Sequence, residues 1–322
     1  MSNDGLGSWS TLNGSWEDIG AENGTDLLTP EDGFDHELST YPIAGIILFL
    51  LIPVISILGL MGNGTVIWFL GFCMKRNPFT TFILHLAVAD LGVLMCLCSL
   101  LIMLLLALFS FSPPYMDLFL YCFMFMYNTD QYLLTAISMD RCVSVVFPLW
   151  HRCHRPPHFS TLVCATIWII SFLLTVIGMI PSIFSVSYLL LVNAILCLPL
   201  MTVSTLVLFI KVYFRSKQRK KGKALTAILL ALLFFLFLAF PFTCILLIRF
   251  FTPLIDYNVQ FVISVGLLCS CLNSSINPLI YFLIGRNKRA RSKESMKVIL
   301  QRLFKEEENC REKREVPVQT WM

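Results

Sequence analysis

Seven separate runs of apolar residues, each long enough to cross a bilayer, leave this chain few folds to choose from. They cover Ile43–Phe72, Phe79–Phe109, Tyr115–Val146, Ser160–Ile180, Ser187–Tyr213, Ala224–Phe250 and Tyr257–Ile284. A helix needs about 20 mainly apolar residues to span the hydrocarbon layer, and each run meets that length. Only 14% of the 322 residues are charged, against about 25% in an average soluble domain. Charges are scarce between Ile43 and Ile284 outside a few short patches. A water-facing surface cannot be built from what remains. The sequence therefore predicts an all-α membrane protein, a seven-transmembrane helix bundle. Its least distinct boundary lies between the fourth and fifth runs, around Ser182 to Ser187, where Pro181 helps to punctuate the chain.

Lysine and arginine mark the side of the membrane that each loop occupies. The first 42 residues hold nine acids and no Lys or Arg. Basic residues begin at Lys75 and Arg76, after the first span. They return at Arg152 to Arg155 after the third, at Lys211 to Lys223 after the fifth and at Arg286 to Arg302 after the seventh. The loop between spans two and three offers only Asp117, and that between six and seven only Arg249 and Asp256. This asymmetry puts the N-terminus outside, the C-terminus inside and a multi-pass protein in the plasma membrane. No secretory leader is expected, because the first 40 residues are acidic and lack a basic start and an apolar core.

Four segments follow: an extracellular acidic tail over 1–42, the bundle over 43–284, a membrane-surface helix over 285–304 and a cytoplasmic tail over 305–322. The outer tail carries two glycosylation sequons, Asn13-Gly14-Ser15 and Asn23-Gly24-Thr25. In the segment after the last span, Met296, Ile299, Leu300 and Leu303 recur at helical spacing opposite Lys288, Arg289, Arg291, Lys293, Lys297 and Arg302. That pattern suits a short amphipathic eighth helix on an anionic lipid surface. The 12 cysteines form no disulfide framework. Most lie in or beside apolar runs, where Cys behaves as a small hydrophobe, and none has zinc-ligand spacing.

Ionisable groups inside spans are costly and therefore candidates for function. Asp90 lies in span two, Asp130 in span three and the Asp140-Arg141 pair at the inner end of span three. Asn63, Asn273 and Asn277 occupy comparable positions; such amides can also serve only to bind one helix to another. Eleven helical positions separate Asp130 from Arg141. They differ by roughly 20° around the axis and about 16 Å along it. Phe123, Tyr127, Leu134 and Ile137 fall within about 40° of the same line. One face thus runs from aromatic through acidic to cationic, and it should look into the bundle.

The ordered set of motifs resembles a rhodopsin-like (class A) G-protein-coupled receptor. It comprises Gly62-Asn63, Leu86-Ala87-Val88-Ala89-Asp90, Asp140-Arg141-Cys142, Trp168, Pro199, Pro241 and Asn277-Pro278-Leu279-Ile280-Tyr281, one for each span in turn. Further stretches resemble the Mas-related receptors: Arg76-Asn77-Pro78-Phe79-Thr80, Leu133-Leu134-Thr135-Ala136-Ile137-Ser138, the run from Phe147 to Pro156, and Val298-Ile299-Leu300-Gln301-Arg302. The resemblance covers about residues 43 to 304. It implies that Asp140 holds Arg141 at rest and that Arg141 turns toward the C-terminal helix of a heterotrimeric G protein on activation, with Tyr281 swinging in beside it. It implies peptide or small-amine ligands and coupling to Gq, sometimes Gi. Pro241 and Pro278 remove helix hydrogen bonds and supply hinges.

This chain departs from the resemblance in several places. The cysteine that ties span three to the second outer loop is replaced by Met116, and the tryptophan before the span-six proline by Ala239. Phe235, Phe237 and Phe240 are candidates to take over the latter's role. Phe123, Tyr127, Phe237 and Phe240 are the candidate ligand contacts. No acid occurs between Asp140 and Asp256, which speaks against a preference for basic peptides unless Asp117, Asp256 or the outer tail supplies the attraction.

The resemblance also implies a sodium ion held by Asp90, the span-three position Asp130, Asn273, Ser274 and Asn277. Relatives have a small residue at the Asp130 position. Two carboxylates in one buried site either share a proton or enclose a cation, and oxygen ligands suit a hard ion. Sodium binding would then be tighter, or activation pH-sensitive. Alternatively Asp130 is protonated and simply donates a hydrogen bond. No other cofactor is expected.

An ion or solute transporter using Asp90 and Asp130 is the alternative class, but internal repeats and paired broken helices are absent from the sequence. The last span has no lysine for a retinal Schiff base, and His36-Glu37 is followed by Thr40, so no zinc-protease motif forms. The chain reads as a receptor and not an enzyme. Its basic loops face lipid headgroups and a G protein, with no nucleic acid as a partner. Thr320-Trp321-Met322 offers a C-terminal carboxylate to a PDZ protein.

Overall fold

The computed structural model describes residues 43–74, 77–108, 116–153, 155–156, 158–180, 186–215, 225–238, 259–285, 298–301 and 303. Span one is Ile43–Trp68, continued by the wider-wound segment Phe69–Cys73; span two is Pro78–Leu108 and span three Met116–Val146. A short helix, Pro148–Cys153, precedes span four, Phe159–Gly178. Span five is Val186–Arg215, span six is described over Leu225–Leu238, and span seven is Val259–Gly285. The described ends fall within a few residues of those read from hydropathy, apart from the end of span six at Phe250, which lies outside the described residues. Among the described residues, five segments are long and apolar enough to cross a membrane by composition alone. Span three has the length, 31 residues, but Asp130, Asp140, Arg141 and its amides dilute its hydropathy. The fold is a seven-transmembrane bundle. Asn13, Asn23, Phe240, Pro241 and the C-terminal Thr320-Trp321-Met322 lie outside the described residues.

Local chemistry explains the start of span two. Asn77 Oδ1 accepts from the backbone N–H of Thr80 at 2.7 Å, and Thr80 Oγ1 accepts from the N–H of Asn77 at 2.9 Å. This reciprocal cap satisfies two orphan donors, and Pro78 occupies the first helical position, where its missing N–H costs nothing.

The bundle is built inside out relative to a soluble protein. Large apolar side chains such as Leu58, Met61, Trp68, Leu162, Ile169 and Val203 are exposed, whereas Asn63, Asp90, Asn128, Asp130, Asn193, Asn273 and Asn277 are buried. Lipid solvates the outside, so packing and polar contacts must hold the helices together. Span one packs on two and seven, span two also on three, four and seven, and span three on four and five. Glycines permit the closest approach. A Cβ at Gly62 would lie 2.9 Å from Pro278 Cβ, and one at Gly59 would collide with Ser275 Oγ.

Two apolar layers fill the interior. One contains Ile52, Val93, Leu94, Leu97, Phe123, Met124, Tyr127 and Cys271. The other includes Phe79, Phe82, Leu86, Leu133, Leu134, Ile137, Leu232, Phe235, Ile280 and Tyr281. In each of spans two, three and seven the chain passes from one layer to the other through a polar step: Asp90, Asp130, and Asn273 to Asn277. Past span seven, residues 298–301 are helical. Ile299, Leu300 and Leu303 are buried, the last two within the second layer, so the predicted apolar stripe is turned onto protein.

Candidate functional site

The polar step between the layers is the first part of the site. Asp90 and Asp130 are fully buried, at 0% and 1% exposure. Asn277 Nδ2 donates to Asp90 Oδ2 at 2.9 Å, and Asn273 Nδ2 to Asp130 Oδ2 at 3.0 Å. The two carboxyl groups and the Ser274 hydroxyl are neighbours in this layer. Among the described residues, the remaining carboxylate oxygens, Asp90 Oδ1 and Asp130 Oδ1, and the Ser274 hydroxyl make no hydrogen bond. Two carboxylate oxygens and a hydroxyl oxygen, buried and without partners among the described residues, fit a hard cation. Asn273 and Asn277, read from the sequence as ligands, instead turn their amide nitrogens to the carboxylates and so orient them. Among the described residues, no cluster of three or more His, Cys, Asp or Glu side chains forms a metal site. An ion here would rest on two carboxylates and neutral oxygens.

A proline explains the bracing from span one. Pro278 has no N–H, so the carbonyl of Ser274, four residues earlier, loses its helical donor. Asn63 Nδ2 takes that place at 2.8 Å. Ser275 Oγ donates to the Ile55 carbonyl at 3.2 Å, and Ser56 Oγ meets Cys271 Sγ at 3.2 Å. Spans one and seven are thereby fixed where Asn273 and Asn277 reach the acids.

The second part lies at the other end of span three. Asp140 Oδ2 accepts from Arg141 Nη2 at 2.8 Å and from Nε at 3.2 Å. The Arg141 guanidinium also sits 4.3 Å above the Phe79 ring. Arg141 is buried, at 7% exposure, and Tyr281 is buried in the same layer. The remaining oxygen, Asp140 Oδ1, takes Arg155 Nη2 at 2.9 Å.

Toward the opposite end, Phe123 and Tyr127 stack with ring centroids 5.7 Å apart. Phe237 does not join them. It is 80% exposed, while Phe235 is 1% exposed and packs inward. Two helical steps rotate a side chain by about 200°, so only one of these rings can face the core. Phe235 is the aromatic that the bundle encloses.

These two centres, joined by one face of span three, are the geometry against which known proteins can be set. A family model described as "7 transmembrane receptor (rhodopsin family)" matches residues 62–281. The chain belongs to this family. It falls within the Mas-related group: Proto-oncogene Mas of Rattus norvegicus is 37% identical over 270 residues, covering 79% of this chain and 82% of that one. The Mas-related G-protein coupled receptor member H of Mus musculus is 39% identical over 270 residues, covering 80% and 83%. Member A1 of Mus musculus is 33% identical over 275 residues, covering 78% and 87%. This Mas-related chain is a G-protein-coupled receptor, a multi-pass membrane protein and not an enzyme.

Some contacts escaped the sequence reading. Asn128, Gln131, Thr135 and Ser138 form one face of span three toward span five. Asn193 Nδ2 bridges Asn128 Oδ1 at 3.0 Å and Gln131 Oε1 at 3.3 Å, and Ser138 meets Ser204 at 2.6 Å. Trp168 Nε1 donates to His85 Nδ1 at 3.2 Å, joining spans four and two. Polar residues in apolar runs were the available signal, but their pairing was not written in the spacing.

Proposed function

We propose that this Mas-related receptor takes an extracellular peptide or small molecule at the end of the bundle bearing Phe123 and Tyr127, and activates Gq, with Gi as a second partner. The acidic, sequon-bearing N-terminus is outside, glycosylated at Asn13 and Asn23, and the basic loops are inside against lipid and the G protein. Asp140, Arg141, Pro241, Asn277, Pro278 and Tyr281 form the switch; Phe240 joins the ligand contacts. A sodium ion held by Asp90, Asp130 and Ser274 would stabilise the resting bundle by pairing with the buried carboxylates. The tail after the eighth helix is cytoplasmic, and its terminal Thr320-Trp321-Met322 docks a PDZ protein.

The observation that supports this reading most is the buried Asp140–Arg141 pair at 2.8 Å. It lies on the same face of span three as the acidic layer. An arginine held by its neighbour inside the bundle can be released toward a partner when the inner ends of the helices separate.

The test is G-protein activation in cells expressing this chain or Arg141→Ala at matched surface level. Cells are read unstimulated and against a mixed peptide and amine library. Signalling that depends on Arg141 is expected, and the responding G protein is named in the same assay. Silence across every G-protein class, with surface expression confirmed, would leave a missing ligand or a decoy receptor and would revive ion or solute transport through Asp90 and Asp130.

A further inference from the structure

The inner loops that join spans three to six carry no negative charge after Asp140. From Arg141 to Ile255 the sequence contains no Asp or Glu, so basic side chains gathered there by spans three, four and five have one acid on the chain between them, Asp140. The structure shares that acid chiefly between two arginines, with His151 Nε2 farther off, 3.5 Å from Oδ1. Oδ2 is held by Arg141 at 2.8 Å and Oδ1 by Arg155 at 2.9 Å, and all three side chains are less than one tenth exposed.

Arg155 lies between the short helix and span four, and it is itself fixed in place. Its Nη2 also donates to Ser160 Oγ at 2.6 Å, and its Nη1 meets His151 Nε2 at 2.7 Å. A guanidinium has no acceptor, so the His151 nitrogen accepts. The Arg155 group also lies 5.5 Å from the Phe159 ring centroid. Arg141, by contrast, is held by its sequence neighbour Asp140 and by the face of Phe79.

We propose that Arg155 is a positioning residue for G-protein coupling: it keeps Asp140 paired when Arg141 leaves. The inference rests on the receptor reading above. Removing one partner from a buried ion pair is strongly destabilising because the other charge is stranded. If Arg141 were the only cation on Asp140, its release would strand a carboxylate buried in the loop–bundle junction. With Arg155 on the second oxygen, one charge-assisted bond is lost and the other persists. The resting pair is then easier to open, and the second inner loop stays docked on span three while Arg141 moves.

The test uses the full chain in membranes, with no added ligand. Two readouts are taken: receptor-dependent GTPγS exchange on purified heterotrimer, and affinity for a synthetic peptide of the Gα C-terminal helix. Arg155→Gln should weaken peptide affinity about tenfold and slow exchange, the size expected for one charge-assisted hydrogen bond. Arg155→Lys, which restores the charge, should recover most of the loss. In an Asp140→Asn background no carboxylate can be stranded, so Arg155→Gln should then have little further effect. An Arg155→Gln receptor with unchanged or raised exchange overturns the proposal. So does an equal loss in the Asp140→Asn background, which would mark Arg155 as only a structural staple of the loop. If Arg141→Ala exchanges and binds like the parent, the receptor reading fails. If Arg141→Ala is silent while Arg155→Gln is normal, only this inference fails.

Discussion

Asn63→Ala should destabilise the bundle chiefly through an atom in another helix. The Asn63 amide donates to two carbonyls, Gly59 O at 3.1 Å and Ser274 O at 2.8 Å. The first is expendable, since Gly59 O is the helical acceptor for the backbone N–H of residue 63. The second is not, because Pro278 offers Ser274 no N–H. Truncation leaves that carbonyl buried without a donor, at a cost of about 1–3 kcal/mol, with values near the lower end expected inside a membrane. At about 2–4 °C per kcal/mol, the apparent Tm should fall by roughly 2–4 °C. A thiol-reactive fluorogenic dye can read the unfolding in detergent, since Cys164, Cys197 and Cys271 are buried free thiols. The decisive comparison is a Pro278→Ala background, where residue 278 regains an N–H for Ser274. There the Asn63→Ala loss should shrink to less than half, a coupling of about 1 kcal/mol. Equal losses in the two backgrounds would refute the link between the proline and the amide.

Two further expectations follow from the same geometry. Gly59→Ala should lower the apparent Tm by an amount equivalent to about 1–3 kcal/mol, since its Cβ would meet Ser275 and lie 2.7 Å from Leu94 Cδ1. Gly64→Ala, with nothing within 4 Å of the new methyl, should be neutral or stabilise by up to about 1 kcal/mol through helix propensity; the opposite ranking in the dye assay would contradict the packing of spans one and seven. Asp130→Asn keeps an oxygen for Asn273 and removes one charge, so sodium should protect the variant against heat at least about tenfold less effectively. Identical sodium and pH dependence of stability and G-protein activation in variant and parent would rule out an ionic role for Asp130.

The two centres divide the work of a receptor along one helix. Span three carries the acidic layer in its middle and the Asp140–Arg141 pair at its end. On the switch proposed above, a motion that repacks the layer around Asp130 would reach Arg141 along the same helix. The polar layer lies between two apolar layers with no slack for gradual deformation, which favours discrete arrangements over a continuum.

How much of this was legible beforehand depended on whether the relevant physics was local. Span number, the described ends other than that of span six, and the inward face of span three came from the sequence, because hydropathy and the helical repeat act over neighbouring residues. Phe123, Tyr127, Asp130, Leu134, Ile137 and Arg141 are all buried as that repeat required. Asp90 and Asp130 stood out as candidates because any ionisable group within a span is costly wherever the helix packs. Rotation and register between helices were decided only by the tertiary structure. They turned Phe235 inward and Phe237 outward, brought Asn193 onto Asn128 and Gln131, and set Asn63 against the carbonyl that Pro278 had freed. They also placed Arg155 on Asp140 through a turn of the loop that no periodicity encodes. Apolar burial is non-directional and tolerates many such arrangements, whereas a hydrogen bond requires its partner within about 3 Å at a fitting angle. Those partners exist only once the helices have met.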